Sequence, residues 1–241
     1  MMKKSALTLL CVPAAGFAAR CARSVQLQEV TIMNNIVNNT TTSNVINTFN
    51  IATNKNIVLC GVGGQGTVLA SKLLAAAAMS KDIPVMSAET IGMAQRGGSV
   101  FSHLRMGKNL YSPMIKTGTA DLIIGFEPGE TVRMLPYLKE HGQVVVSNHA
   151  IKPVTATLSG SSYDAPPMID YLKEHVENLT LIDADTICRE IGSQKVLNMV
   201  LLGAAIRTGV LDFSLEEIEE VMKKTLPEKF HEMNLKALRY A

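Results

Sequence analysis

The stretch "NIVLCGVGGQGTVLASKLL", beginning at Asn56, constrains this chain more than any other. A short apolar run ended by glycines reads as a buried strand. The Leu- and Ala-rich run behind the glycines reads as a helix. Strand, glycine turn and helix in that order open an α/β sheet, and the turn then lies at the carboxyl end of the first strand, where open α/β sheets bind ligands. Gly61, Gly63 and Gly66 keep the G-x-G-x-x-G spacing, with Gly64 and Gln65 between them. Glycines let the backbone approach closely, and the following helix start offers free N–H groups and a partial positive charge. The pattern suits a phosphate or another anion, and equally a tight turn that binds nothing.

The rest of the chain extends this unit. "IPVMSA" (residues 83–88) reads as a second strand. "SVFSHLRMGKNLYSPMI" breaks the rhythm, and the turn-like Gly107-Lys108-Asn109 between two strand-like stretches predicts a hairpin. "ADLIIGF", "QVVVSN" and "LTLIDA" are further buried-type strands. Between them, "PGETVRMLPYLKEHG" predicts a helix from Pro128 to Gly142, kinked at Pro136, and "MIDYLKEHV" another. The C-terminal part is helical, and Ser214 with Glu217 three residues later forms a capping box. The fold class is therefore α/β: a Rossmann-like, mostly parallel sheet with an inserted hairpin and a helical C-terminal part.

A second glycine stretch, "AQRGGS", joins the second strand to the predicted hairpin. Arg96 is a fixed cation whose planar fork suits a carboxylate or phosphate, and Gly97 and Gly98 permit close approach. Gln95 can donate and accept. A solvated surface turn is the plainer alternative. His103 and Arg105 face one side of a strand, where solvent exposure is expected. Glu127 ends a strand, and Glu130 and Arg133 stand at the i,i+3 spacing of a surface ion pair. Asp183 and Asp185 read as helix-entry residues. For a nicotinamide dinucleotide, an acid should close the second strand to bond the ribose, and Glu89, 23 positions after Gly66, stands close to where that acid belongs. No Ser/His/Asp elbow, metal-binding His pair or P-loop lysine occurs.

Composition narrows the field. With 47% hydrophobic and 18% charged residues, the chain reads as globular rather than disordered. It has no Trp and 5% aromatics, which counts against base-stacking nucleic-acid modules, and a formal net charge of +2 does not call for a polyanionic partner. Cys11, Cys21, Cys60 and Cys188 form no C-x-x-C pair and no run that could hold zinc or an iron–sulfur cluster; no metal ligands are assigned. They read as reduced or buried thiols of a cytoplasmic protein, and no apolar stretch after the first residues is long and uninterrupted enough for a membrane span.

Residues 1–54 are read as a leader and an Asn/Thr-rich flexible tail ahead of a domain at 55–241. The first part resembles a signal peptide, with a basic start, an apolar middle and small residues near Ala18 and Ala19. Its lack of acids before Glu29 also fits a transit peptide. A third reading is that it is not translated. Gln28-Glu29-Val30 can be encoded by CAG-GAG-GTN, which contains a bacterial ribosome-binding sequence just upstream of Met33. Without residues 1–32 the net charge falls from +2 to −1.

From Asn56 onward the chain resembles the gamma-type domain of the 2-oxoacid:ferredoxin oxidoreductases, and within that family its indolepyruvate branch. The likeness rests on "GVGGQG", "SAETIGMAQRGGSVFSHLRMG", "YSP", "ADLIIGFEPGETVR", "GQVVVSN", Pro153, "IDAD" and "NMVLLGA", in matching order. The resemblance implies a subunit of an enzyme that oxidatively decarboxylates a 2-oxoacid, most nearly an arylpyruvate, to the acyl-coenzyme A and reduces ferredoxin. It implies thiamine diphosphate and iron–sulfur clusters on a larger alpha subunit, with no catalytic group supplied by this chain. Gly61, Gly63, Gly64, Gln65 and Gly66 would then hold an anionic part of a cofactor or pack on the partner, and Gln95, Arg96, Gly97 and Gly98 would meet the substrate carboxylate or a coenzyme A phosphate. Pyruvate, ketoisovalerate or 2-oxoglutarate as substrate, an independent NAD-dependent dehydrogenase, and a scaffold whose glycine loops only pack remain as rivals.

Overall fold

The computed structural model describes residues 54–90, 97–152 and 163–240. Its centre is a six-stranded sheet of β1 (Lys55–Val62), β2 (Val85–Glu89), β3 (Ser99–Met106), β4 (Ala120–Gly125), β5 (Leu138–Ser147) and β6 (Asn178–Ile182). The spatial order is β2-β3-β1-β4-β5-β6. β1, β4, β5 and β6 pair in parallel, while β3 runs antiparallel between β1 and β2.

The central strands are buried on both sides, which is why they read as unbroken apolar runs. Ile57 and Leu59 point into one core, Val58 and Cys60 into the other. α1 (Thr67–Ser80) packs Leu73, Leu74 and Ala77 onto the first core. The same face takes α4 (Ala184–Ile191), α5 (Leu197–Arg207), α6 (Leu215–Thr225) and α7 (His231–Tyr240). α2 (Pro128–Met134) and α3 (Ala165–His175) cover the second core through Val132 and Leu172, joined by Val176 at the C-cap of α3. Each fully buried Leu, Ile or Val contributes about 1.5–3 kcal/mol by leaving water. α5 is apolar all round, and Leu197–Ile206 is buried throughout, so it is the spine of the C-terminal layer. The capping box opens α6: Ser214 Oγ accepts from Glu217 N–H at 3.2 Å, and Ser214 N–H donates to Glu217 Oε2 at 2.9 Å.

Two local expectations give way. The hairpin does not turn at Gly107-Lys108-Asn109: residues 107–119 hold no strand, and the antiparallel partners of β3 are β1 and β2. The unpaired β-type residues beyond Gly107 fold back over the second core, where Ile115 is buried. The helix begun at Pro128 stops at Met134 instead of running to Gly142. Pro136 sits in a 3-10 turn at Leu135–Tyr137, and β5 starts at Leu138. A proline without an N–H, in a segment that must turn back into the sheet, ends the helix where a kink was expected. Among the described residues no helix is long and apolar enough to cross a membrane.

Candidate functional site

β1 and β4 are parallel neighbours, yet their following helices leave to opposite faces: α1 to the first core, α2 to the second. The carboxyl ends of two adjacent strands whose helices diverge make a topological switch point, the general ligand position of such sheets. The glycine turn forms one side of it and "FEPGE" the other.

Close approach explains the glycines at two positions. A Cβ on Gly61 would lie 2.7 Å from the Phe126 Cβ and 2.6 Å from Gln65 Oε1, so β1 and β4 could not converge. Gly66 has φ +86° as the N-cap of α1, and a Cβ there would meet Asn198 Nδ2 at 2.9 Å. Asn198, 3% exposed on α5, is thus the buried wall behind the helix start. α1 has no side-chain cap and no acid in its first turn, which leaves its positive end undiluted.

Gln65 has a different task from the one its exposed-looking loop implies. Its Oε1 accepts from Val62 N–H at 2.7 Å, and its Nε2 donates to the Phe126 carbonyl at 2.8 Å. The side chain is therefore a clip across the switch point, joining the end of β1 to the turn after β4. Gly64, at φ +105°, has open space where a Cβ would project.

The two glycine stretches meet. Gly63 N–H donates to Gly98 O at 2.8 Å, and Gly97 N–H approaches Gly63 O at 3.5 Å. Gly61–Gly66 and Gly97–Gly98 thus share one edge of the sheet. Gln95 and Arg96 lie outside the described residues.

Beneath this edge is a polar network that the residue patterns did not reveal. Glu127 is fully buried and Glu130 is 2% exposed, where a surface ion pair was expected. Glu127 caps α2 by accepting from Glu130 N–H at 2.8 Å, and its other oxygen accepts from Tyr163 Oη–H at 2.9 Å. Glu130 accepts from Ser99 Oγ–H at 2.5 Å, while Arg133 reaches it only at 3.5 Å from an exposed position. Burial pushes the Glu127 carboxyl above the usual glutamate range, against the lowering effect of its hydrogen bonds. Burial, together with the neighbouring carboxylates, raises the Tyr163 phenol as well. The proline after Glu127 was the one available signal, since N-cap followed by Pro at N1 is a strong helix start.

Other candidates disperse. His103 is buried, not solvent-facing: Nδ1 accepts from Ile115 N–H at 3.0 Å, the ring lies between Phe101 and Tyr137, and burial holds it below the ordinary histidine range. Arg105 is half-buried and bonds Asn56 Oδ1 and the Ser112 carbonyl, so it too is structural. Asp183 caps α4, as its position implies. Cys60 and Cys188 are buried in different elements, and burial raises both thiols. Among the described residues no group of His, Cys, Asp and Glu could hold a metal.

The dinucleotide reading fails on topology. β3 stands between β1 and β2, so Glu89 is two strand spacings, about 9.6 Å, from the glycine strand. Glu89 pairs with Ser102, which pairs with Leu59, three residues short of the end of β1. That is one strand further than in a dinucleotide fold, where the ribose-binding acid ends the strand beside the glycine strand.

The two glycine loops interlock at the switch point of a mostly parallel α/β sheet, which is where ligand-binding domains of this class carry their site. The sequence model of the pyruvate ferredoxin/flavodoxin oxidoreductase family matches residues 56–241, and the chain belongs to that family. It is 38% identical over 189 residues to indolepyruvate oxidoreductase subunit IorB of Methanothermobacter thermautotrophicus, covering 77% of this chain and 95% of that one. The common gamma subunit of the pyruvate/ketoisovalerate oxidoreductases of Thermococcus litoralis is 29% identical, covering 75% and 91%. The fold is that of the keto/oxoacid ferredoxin oxidoreductase gamma subunit from Geobacter sulfurreducens, with a TM-score of 0.55 at 24% identity over 77% of this chain and 94% of that one.

Proposed function

We propose that this chain is a subunit of an indolepyruvate-type 2-oxoacid:ferredoxin oxidoreductase. The observation that carries this reading is the 38% identity to an indolepyruvate oxidoreductase subunit across 95% of that relative's length. The weaker 29% likeness to the pyruvate/ketoisovalerate gamma subunits makes an arylpyruvate the preferred substrate over those acids. The overall reaction converts an arylpyruvate anion and coenzyme A to the aryl-acetyl thioester, carbon dioxide and one proton, and two electrons pass to ferredoxin.

Thiamine diphosphate and the iron–sulfur clusters belong to a larger alpha subunit in this reading. The two described thiols are buried and raised, and they are unsuited to cluster ligation. When bound on the partner, thiamine supplies the carbanion chemistry and the clusters the electron path. This chain's part is to bind and orient. The uncapped start of α1 and the main chain of Gly64 and Gly66 offer N–H dipoles to an anion, while the Gly63 N–H is taken by the Gly98 carbonyl. Gln65 holds the switch point rigid instead of touching the ligand. Gln95 and Arg96 precede Gly97–Gly98 in the chain, and Arg96 is assigned to the substrate carboxylate or a coenzyme A phosphate.

The test is co-purification of the complex followed by an indolepyruvate-dependent dye-reduction assay in the presence of coenzyme A. Indolepyruvate should support faster reduction than pyruvate, ketoisovalerate or 2-oxoglutarate. Arg96→Ala should lower kcat/KM by about 10- to 100-fold, the scale of one charge-assisted hydrogen bond. Unchanged turnover in that variant removes the role given to Arg96.

A further inference from the structure

The 13 residues between β3 and β4, Gly107–Thr119, form neither helix nor strand, yet they are anchored. Ile115 is buried in the second core, and its N–H donates to the buried His103 Nδ1 at 3.0 Å. Arg105 Nη1 donates to the Ser112 carbonyl at 2.8 Å, and Gly118 N–H donates to Pro136 O at 2.9 Å. Thirteen residues without regular structure are uncommon inside a compact domain and are usually functional. Gly107 N–H to Pro84 O and Asn56 Nδ2 to the Thr119 carbonyl, both at 2.9 Å, tie its two ends, and none of these anchors explains what it presents outward.

It presents apolar side chains. Tyr111 is 91% exposed and Met114 is 53% exposed, on either side of Ser112-Pro113. Tyr111 is far more exposed than the other large hydrophobics of the described chain, the next being Met114 itself. Lys108 and Lys116 flank them, both exposed, and the arm contains no acid. Tyr and Met are enriched where proteins meet, and an arm ordered beforehand loses little entropy when it docks.

We propose that the 107–119 arm is the surface by which this chain docks on the cofactor-bearing chain of its complex. Tyr111 and Met114 enter an apolar recess whose rim is acidic. The rim is inferred from charge: Lys108 and Lys116 bracket the apolar pair, and among the described residues neither forms an ion pair. The identity of the partner rests on the function proposed above. A second copy of this chain is the poorer occupant, because two identical arms would bring like charges together.

The experiment measures binding of the full chain to the purified larger chain retaining thiamine diphosphate and iron–sulfur clusters, by biolayer interferometry at two salt concentrations. Tyr111→Ala should weaken assembly about 30-fold or more, as a hot-spot aromatic does. Lys116→Glu should slow association and flatten its salt dependence. Phe230→Ala, 43% exposed beside α7 and away from the arm, should bind as the native chain does. The melting temperature of each isolated variant should be unchanged, since the altered side chains are exposed. Equal assembly by the native chain and Tyr111→Ala overturns the arm but leaves the functional reading standing. Failure of the native chain to bind the cofactor-bearing chain overturns that reading, and the partner named here with it. Loss of self-association in Tyr111→Ala, seen by sedimentation of this chain alone, shows a second copy as the occupant and overturns the proposal.

Discussion

Gln65 is the residue whose contacts depart most from what its place in the loop suggests. Standing between glycines in a loop, it reads as a ligand contact, but both ends of its amide are engaged by buried main chain of β1 and of the turn after β4. Gln65→Ala should therefore cost about 1–3 kcal/mol in urea denaturation, because Val62 N–H and Phe126 C=O are left unpaired in a buried place. Glu127 carries a second residue-scale prediction. Its carboxyl is raised by burial, so the folded state binds that proton more tightly than the unfolded chain does. The sign follows from linkage: as pH climbs above the ordinary glutamate range, folding must ionise a buried acid, and stability falls until the raised value is passed. Glu127→Gln removes this dependence. Denaturation curves from pH 4.5 to 7.5 should show the native chain losing stability relative to the variant as pH rises.

At the scale of elements, the decisive contact is between α5 and α7. Gly203 lies in the buried helix α5, and a Cβ there would sit 2.1 Å from the Leu238 carbonyl of α7. The two helices touch through backbone, and Arg207 adds a bond from its Nη2 to the Arg239 carbonyl at 2.8 Å. Gly203→Ala should force them apart at a cost of about 1–3 kcal/mol, with the loss visible as faster hydrogen exchange in α7 than in α1. The elements with strong local signals were legible: the glycine-bounded β1, the apolar β4, and α6 with its capping box. The end of α2 was not. Helix formers continue past Pro136, and only the demand of β5 to rejoin the sheet at Leu138 ends the helix early.

At the scale of the whole molecule, strand order separates this chain from a dinucleotide-binding domain with the same glycine spacing. The insertion of β3 between β1 and β2 moves Glu89 one strand further from the glycine strand. Calorimetric titration of the isolated chain with NAD should show no binding. A dissociation constant in the micromolar range would contradict the placement of Glu89. Loop divergence at the switch point, the Gln65 clip and the Gly63–Gly98 bond together make one rigid lip, suited to a site completed by another chain.

The sequence alone determined the class and most of the elements. Short-range chemistry settles a glycine turn, a capped helix or a run of β-branched residues within a few positions, and the motifs "GVGGQG" and "AQRGGS" carried the family likeness. The tertiary structure decided which elements are neighbours. No local pattern places β3 beside β1, buries Glu130 against Ser99, sets Asn198 behind Gly66 or leaves Tyr111 exposed on an anchored arm. Each of these joins residues far apart in the chain, and such contacts follow from how two hydrophobic faces of one sheet are shared among the helices, the arm and the returning chain.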